Sequence, residues 1–530
     1  MRLFNCRQRD FIAVFICVAA AVLSACGSKP IDPRTAAPAD ALAYFETNDL
    51  GAAAAVITES PVFQELSKTK PDLSALKGVR LGAAVTGLQV SEKAVSDENA
   101  VLNLKPRFVA IVETNAWGWQ AKSFAENQLG EFINNAYGGG VHVEISQRKD
   151  GTFYEWTAED GRKAFAIVQG SVVMFGNDES AIEKCLAVRR GEAESIAGNE
   201  KIPAGSLASG YISQEGMAQI ANIVGVSTAM DTGEEENVKS FVAAVLPEIL
   251  RNSIKELTWT AENVDGNVTD RVMLALNQDT AATLGTIAAA GQNTSGELGD
   301  YVPGEFYSVT RYRLKDPVLA WRGLVDTARK QTDAMRGGLI AEFAGSVFEP
   351  YGIRDPEVFL GAVGGEIWTV KLDAEGESPV SIAVVRDVEK VKASIAEDVM
   401  FSRPAMAEYG AELWSSENGE VAAAFAGNVL VLGSRENVLK CLQAKQSDGF
   451  SRSGDFRAIA DSNAAAASIS RDAETAGKLV EIFGEKRSQD AAAMTISRTE
   501  TRFSSKGIER TYVSQFGMIG WMAEQFGGEN

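Results

Sequence analysis

Two cysteines occupy matching surroundings in the body of the chain, Lys184-Cys185-Leu186 and Lys440-Cys441-Leu442. A thiol pair in an exported protein can form a disulfide or serve as a redox couple. Each thiol, however, follows an aliphatic residue (Ile182 or Val438) by one helical turn and directly precedes a leucine. That spacing places it on an apolar helix face, where free cysteine behaves as a small hydrophobe. A bridge also needs the two Cα atoms within roughly 7 Å. The expectation is two buried, unbonded thiols facing separate cores. His142 is the only histidine in the chain. Histidine is the commonest general base and a preferred zinc ligand, so one copy removes most catalytic triads and most zinc sites. It alternates with Val141, Val143 and Ile145 and therefore shares the polar side of a strand with Glu144. It reads as a solvated strand residue.

The other chemical candidates have structural explanations. Ser74 and Lys77 have the Ser-x-x-Lys spacing of acyl-enzyme-forming proteins, and Ser416 with Asn418 has their Ser-x-Asn spacing. No Lys-Thr-Gly strand accompanies them, and Ser416 belongs to a turn that recurs elsewhere in the chain. Gly138, Gly139 and Gly140 follow a helix and precede a strand, the reverse of a phosphate-binding loop, so they read as a helix stop. Asp231 to Glu236 is acid-rich but lacks the Asp-x-Asp-x-Asp-Gly spacing of a calcium loop. Trp117 and Trp119 flank a helix start, where aromatics form either a core edge or a partner patch. None of these supplies a nucleophile with an oriented base, so no catalytic residue, metal site or cofactor is assigned.

Composition narrows the partners. Hydrophobic residues are 45% and charged residues 23% of the 530, an ordinary globular balance. The formal net charge is −20. Phosphate backbones repel such a chain, which excludes nucleic acid as a partner.

The N-terminus carries an address. Arg2, Arg7 and Arg9 precede an apolar run from Phe11 to Leu23, shorter than the roughly 20 residues that span a bilayer. Basic start, short apolar run and small residues together make a signal peptide. The run ends Leu23-Ser24-Ala25-Cys26-Gly27, which resembles the lipobox of bacterial lipoproteins. The resemblance implies cleavage after residue 25, a diacylglyceryl thioether on Cys26 and acylation of the new amine, as by palmitate. Several acyl chains, each contributing about 0.8 kcal/mol per buried methylene, anchor a protein durably. The expected location is the cell envelope, with the folded body facing the periplasm or the exterior. Proline-containing residues 26–37 read as a lipidated tether.

The elements that position the two cysteines recur as a block. Trp156 to Gly161, Gly170, Ser171 to Gly176 and Lys184 to Leu186 match Trp414 to Gly419, Gly427, Asn428 to Gly433 and Lys440 to Leu442. The spacing between copies drifts by only two positions across this block. Phe108 to Glu113 matches Ser381 to Arg386, and Tyr211 to Ser213 matches Ser468 to Ser470. Each copy closes with two amphipathic strands, Leu257–Asn263 with Val268–Leu276 and 494–502 with 507–516. The glycine-rich polar run at 291–299 has linker composition. The spacing predicts two homologous repeats, 38–295 and 301–530. Each would be an α+β unit with a mainly antiparallel sheet and packed helices.

The layout also resembles an exported bacterial domain of unknown function often carried on lipoproteins. The carrying features are Pro38-Ala-Asp, Ser60-Pro-Val-Phe63, Pro356-Glu-Val-Phe-Leu-Gly361 before the strand at Glu366–Val370, Arg386-Asp387, and Ser451 to Phe456. That resemblance implies no activity and no site residues. The expected function is a non-enzymatic binding or structural module. It would use a cleft between the repeats, or an exposed sheet face, to meet an envelope protein or ligand. The alternative is a carrier or sensor of a hydrophobic ligand held between helix and sheet.

Overall fold

The computed structural model describes residues 30–94, 100–202, 206–230, 236–287, 296–374, 379–395, 406–447, 449–472, 474–487 and 495–527. The expected signal peptide and Cys26 lie outside the described residues.

The first half carries β1 (Ala43–Thr47), β2 (Arg80–Ala94), β3 (Ala100–Glu113), β4 (His142–Arg148), β5 (Gly151–Thr157), β6 (Lys163–Gln169), β7 (Val172–Gly176), β8 (Ala208–Ile212), β9 (Ile254–Val264) and β10 (Asn267–Leu276). The second carries β11 (Ser308–Arg313), β12 (Val363–Lys371), β13 (Val380–Val385), β14 (Met406–Glu408), β15 (Ala411–Ser415), β16 (Ala422–Ala426), β17 (Val429–Gly433), β18 (Ala466–Asp472), β19 (Thr495–Ser504) and β20 (Gly507–Ser514). Every described pairing between them is antiparallel, and with the packed helices this makes an α+β fold.

Side by side, the first half runs β4-β5-β6-β7-β3-β2-β1-β8-β9-β10. The second runs β14-β15-β16-β17-β13-β12-β11-β18-β19-β20, the same pairings in the same order. Even two isolated bridges correspond, Pro38 with Ser195 and Pro303 with Gly449. The halves are not separate bodies. β10 lies against β20 from Val268 opposite Ser514 to Ala275 opposite Gly507, which makes one twenty-stranded sheet. The two halves are therefore joined through a continuous ladder.

Helices start where a short polar side chain ends a strand. Asp49, Asp178, Asp316, Asp387 and Ser434 each accept a backbone N–H of the helix that follows, which satisfies one of its orphan donors. The helices cover the sheet unevenly. On one side, helices at 50–66, 475–483 and 517–527 press Ile57, Phe63, Leu479, Val480 and Phe516 onto Trp259 and Val268. This cluster mixes both halves. Each such buried side chain contributes about 1.5–3 kcal/mol, so the halves stabilise one another. A second mixed cluster sets Leu276 and Leu284 against Ala320, with Leu314, Phe503 and Ile508 beside them.

On the other side the cover comes as two separate patches. Cys185 and Leu186, on helix Glu179–Arg189, join Tyr44, Ala84 and Ile111. Cys441 and Leu442, on helix Arg435–Gln446, join Val309, Trp368 and Ile382. Both thiols are 0% exposed and unbonded, as their spacing predicts. Burial pushes each up to about 12, so both stay protonated and unreactive.

The tether expectation needs correction. Of residues 26–37, those at 31–37 belong to the fold. Asp32 caps a short 3-10 turn at Pro33–Thr35, and Ala36 and Ala37 are fully buried. Arg34 forms a buried ion pair with Glu46 and donates to the Ile202 carbonyl. Proline here sets a turn; it does not mark a spacer. The repeat alignment is also refined. Trp156 and Trp414 sit in corresponding strands, each one residue from the strand end. Ladder counting nevertheless puts Trp414, opposite Ala423, level with Tyr154, opposite Ala166. Likewise Tyr211, opposite Tyr44, is level with Ile469, opposite Val309, one position from the sequence match.

Candidate binding surface

Between the two helical patches that hold the cysteines, four central strands show a face with no packed helix among the described residues. Cross-strand partners share a face, so the registers identify it. Thr258, Thr260 and Glu262 of β9 lie beside Met273, Arg271 and Thr269 of β10. Those in turn face Glu509, Thr511 and Val513 of β20, with Arg502, Glu500 and Arg498 of β19 beyond. Exposed pairs lie along it, Arg271 with Glu262 at 2.9 Å and Arg502 with Glu500 at 2.5 Å. Pairs this exposed add at most about 1 kcal/mol to stability. At the β19 edge Glu500 also accepts the Ser462 hydroxyl at 2.5 Å, and Arg498 donates to Asp455 at 2.7 Å. The backbone ladder is nearly symmetric about Arg271 and Thr511, but the side chains are not.

The opposite face of the same strands is closed and carries a buried charge. Asp270 is 0% exposed. Its carboxylate accepts Trp259 Nε1–H at 2.7 Å and the Met518 backbone N–H at 2.8 Å. The second bond ties the first half to the helix Gly517–Gly527. Burial raises this carboxyl to about 6, against the two hydrogen bonds that lower it. Gly517 begins that helix with φ 58°, and a Cβ there would stand 2.7 Å from the Asp270 carboxylate.

A cavity of about 430 Å³ opens at the far end of the second half, between the helix Arg435–Gln446 and two hairpin tips. Tyr301, Tyr409, Gly410, Ala426, Leu442 and Lys445 contribute to its wall. Lys445 Nζ donates to the Tyr301 hydroxyl at 2.6 Å and stands 4.5 Å from the ring centroid. Gln446 donates to the Tyr409 carbonyl at 3.2 Å. Tyr409 and Gly410 both have positive φ, 50° and 80°, as a two-residue hairpin loop requires.

The residues singled out in the sequence do not converge on a site. The His142 side chain is 75% exposed, with Nε2 3.9 Å from Glu144. Ser74 opens a 3-10 turn: its backbone N–H donates to Asp72, and its carbonyl accepts the Lys77 backbone N–H at 3.4 Å, so the pair forms a turn. Ser416 donates to Asn418 and accepts the Val421 N–H, so it organises the turn. Gly138, Gly139 and Gly140 have φ of 88°, 91° and 70° and stop the preceding helix. Asp231 to Glu235 lie outside the described residues. Trp117 and Trp119 are 49% and 69% exposed and thus stand outside the core.

Sequence reading missed Lys445 and Tyr301. The available signal was a difference between the copies: counting on from each cysteine, Arg189-Arg190 corresponds to Lys445-Gln446. Among the described residues, no helix is long and apolar enough to cross a membrane. No known protein family, curated protein or solved structure matches the chain.

Proposed function

We propose that this is a lipid-anchored protein of the bacterial cell envelope, held by acyl chains on Cys26, whose body is a duplicated domain acting as a non-enzymatic binding or structural module. The resemblance of residues 23–27 to a lipobox supports the anchor, and the equal strand order of the halves supports the duplication. The observation that carries the binding role is the uncovered face of β9, β10, β20 and β19. It lies in the middle of the sheet and is rimmed by two helical patches. Its side chains are unlike on the two sides of a nearly symmetric ladder, which suits one asymmetric partner, an envelope protein, better than a second copy of the same surface. A photoreactive side chain at Met273 tests this in the native envelope. A discrete adduct that is absent when the same group replaces Lys392, in the outer part of the second half, is the expected result. The same adduct pattern from both positions would remove the role of the face.

One observation favours a second reading, a carrier or sensor of a small ligand held between helix and sheet. The 430 Å³ cavity lies between helix Arg435–Gln446 and the hairpin tips. Its volume is within the range of about 300–1,000 Å³ common to ligand sites.

A further inference from the structure

The two halves treat one location differently. In the first half, Arg190 is bonded to Asp150 at 2.9 Å and to Glu183 and Glu192 at 2.5 and 2.9 Å. Asp150 immediately precedes β5, as Gly410 immediately precedes β15, so the ion pair joins helix end to hairpin tip. In the second half the corresponding residues are Gln446 and Gly410. Neither carries charge, and the space remains open as the cavity.

What remains in the cavity wall is a cation without an acid. Lys445 forms no ion pair among the described residues, and its one side-chain hydrogen bond goes to the Tyr301 hydroxyl. That leaves two ammonium hydrogens. Tyr301 is 1% exposed. Its oxygen accepts from Lys445, and its own hydrogen has no acceptor among the described residues. A buried hydroxyl whose hydrogen has no acceptor lacks the full set of bonds expected of it. Nζ and Oη, 2.6 Å apart, are close enough for a single carboxylate to accept from both, and such charge-assisted bonds are the strong ones. Leu442, Ala426 and Tyr409 line the wall beyond the polar pair.

We infer that the Tyr301–Lys445 cavity binds a small carboxylate with a compact apolar or aromatic body, the carboxylate on Nζ and Oη and the body against Leu442, Ala426 and Tyr409. This rests on the carrier reading and names its ligand class. Bound there, the carboxylate restores the charge balance that Asp150 supplies in the first half. The exposed position of Lys445 makes the site one of exchange with solvent.

The test uses the full chain in non-ionic detergent, with phenylacetate as the probe and uncharged phenylacetamide as its analogue. Lysines are acetylated with a limiting reagent and each site is followed by mass spectrometry. Millimolar phenylacetate is expected to slow acetylation of Lys445 about tenfold and leave Lys184 unchanged, a discrimination of about 1.4 kcal/mol. Tyr301→Phe, which keeps the ring, is expected to lose most of that protection. Gly410→Asp places an acid where Asp150 stands in the first half, in a backbone conformation aspartate tolerates better than most residues; it is expected to abolish the protection by pairing with Lys445. Equal protection by phenylacetamide would overturn the carboxylate assignment and leave the carrier reading standing. Protection of neither kind, or equal protection at Lys184, would overturn both.

Discussion

Two buried arginines show how differently the halves solve one problem. In the first, Arg34 reaches Glu46 on β1, and the same carboxylate accepts from Tyr44 at 3.1 Å and Ser209 at 3.0 Å. In the second, Arg311 on β11 is 0% exposed, and its guanidinium donates to the carbonyls of Ala460 and Ser462, with no carboxylate bonded to it among the described residues. Ladder registers put them in one place: Glu46 lies between Gly82 and Ser209, and Arg311 between Trp368 and Ala467. Burial, then repulsion from Arg313, brings Arg311 down to about 10. Strand order is thus common to the halves while the charge that sits on it is reversed. The backbone topology can be kept while side-chain electrostatics are rebuilt, provided each buried charge finds hydrogen bonds.

The sharpest way to break this comparison is to remove the acid. Glu46→Ala strands the Arg34 charge in the core. Breaking a buried pair from one side costs about 3–5 kcal/mol, which should appear in the denaturant midpoint with little change in slope. Arg311→Met removes a charge that has no bonded acid and leaves only two carbonyls to be satisfied. It should cost less, about 1–3 kcal/mol. If Arg311→Met proves the more damaging, the second-half arginine is the better compensated of the two and the contrast fails.

The junction offers a pH-dependent test of how firmly the halves are joined. Asp270 has its folded value raised to about 6 from 3.8. A raised carboxyl means that the folded state resists the charge. Stability is therefore highest below about pH 4, falls as pH rises through that window, and is fully reduced above about pH 6. Two pH units correspond to about 3 kcal/mol for this group. Asp270→Asn removes the titration. Only its amide oxygen can accept, so either the Trp259 or the Met518 donor loses its partner. Unfolding midpoints of wild type and Asp270→Asn across pH 4–7 should show a slope in the first that the second lacks. Parallel curves would mean that the carboxyl is not shielded from water.

How much of this was legible in the sequence follows from where the signals are local. Cys185, Cys441 and the strands around them were readable because helical spacing and period-two alternation are local patterns, and because they occur twice. The β10–β20 ladder was not. Both strands read as amphipathic hairpin arms, and nothing in Val268–Ala275 names the distant strand it will pair with. Asp270 was invisible for the same reason, since its burial depends on a helix some 250 positions away. Residues 26–37 read as a tether because Pro30 and Pro33 carry the composition of a spacer, whereas Arg34 acquires its meaning only from Glu46. Lys445 carries no local signal, since its partner Tyr301 lies 144 positions away.

The thiols give a smaller effect with a clear reading. Cys185→Ala and Cys441→Ala each delete a sulfur from a packed cluster and should cost about 1 kcal/mol. Both native thiols should resist a thiol reagent until the protein unfolds, since each is pushed up to about 12 by burial. Mass spectrometry of unreduced, alkylated protein should then find both labelled. A species two protons lighter with neither labelled would mean that the two helices meet and would contradict the separate clusters.

The smallest effect is the one most specific to the comparison of the two cavity sites. Arg190→Gln gives the first half the residue that the second half has at Gln446. It releases Asp150, Glu183 and Glu192, all at least partly solvated, so the loss should be within about 1 kcal/mol. Stability is not the informative readout. If the ion pair is what fills the first-half space, Arg190→Gln should open a new cavity beside Asp150, but with an acid rather than a cation in its wall. Phenylacetate should not enter it, because carboxylate would face carboxylate. Adding Asp150→Gly removes that acid and leaves Arg189 as the cation, in the position Lys445 holds in the second half. The double variant should therefore acquire weak phenylacetate binding that neither single variant shows, measured as a second site by titration calorimetry. If instead the single and double variants bind alike, the charge arrangement does not decide which half takes a ligand, and the difference between Arg190 and Gln446 has no bearing on binding.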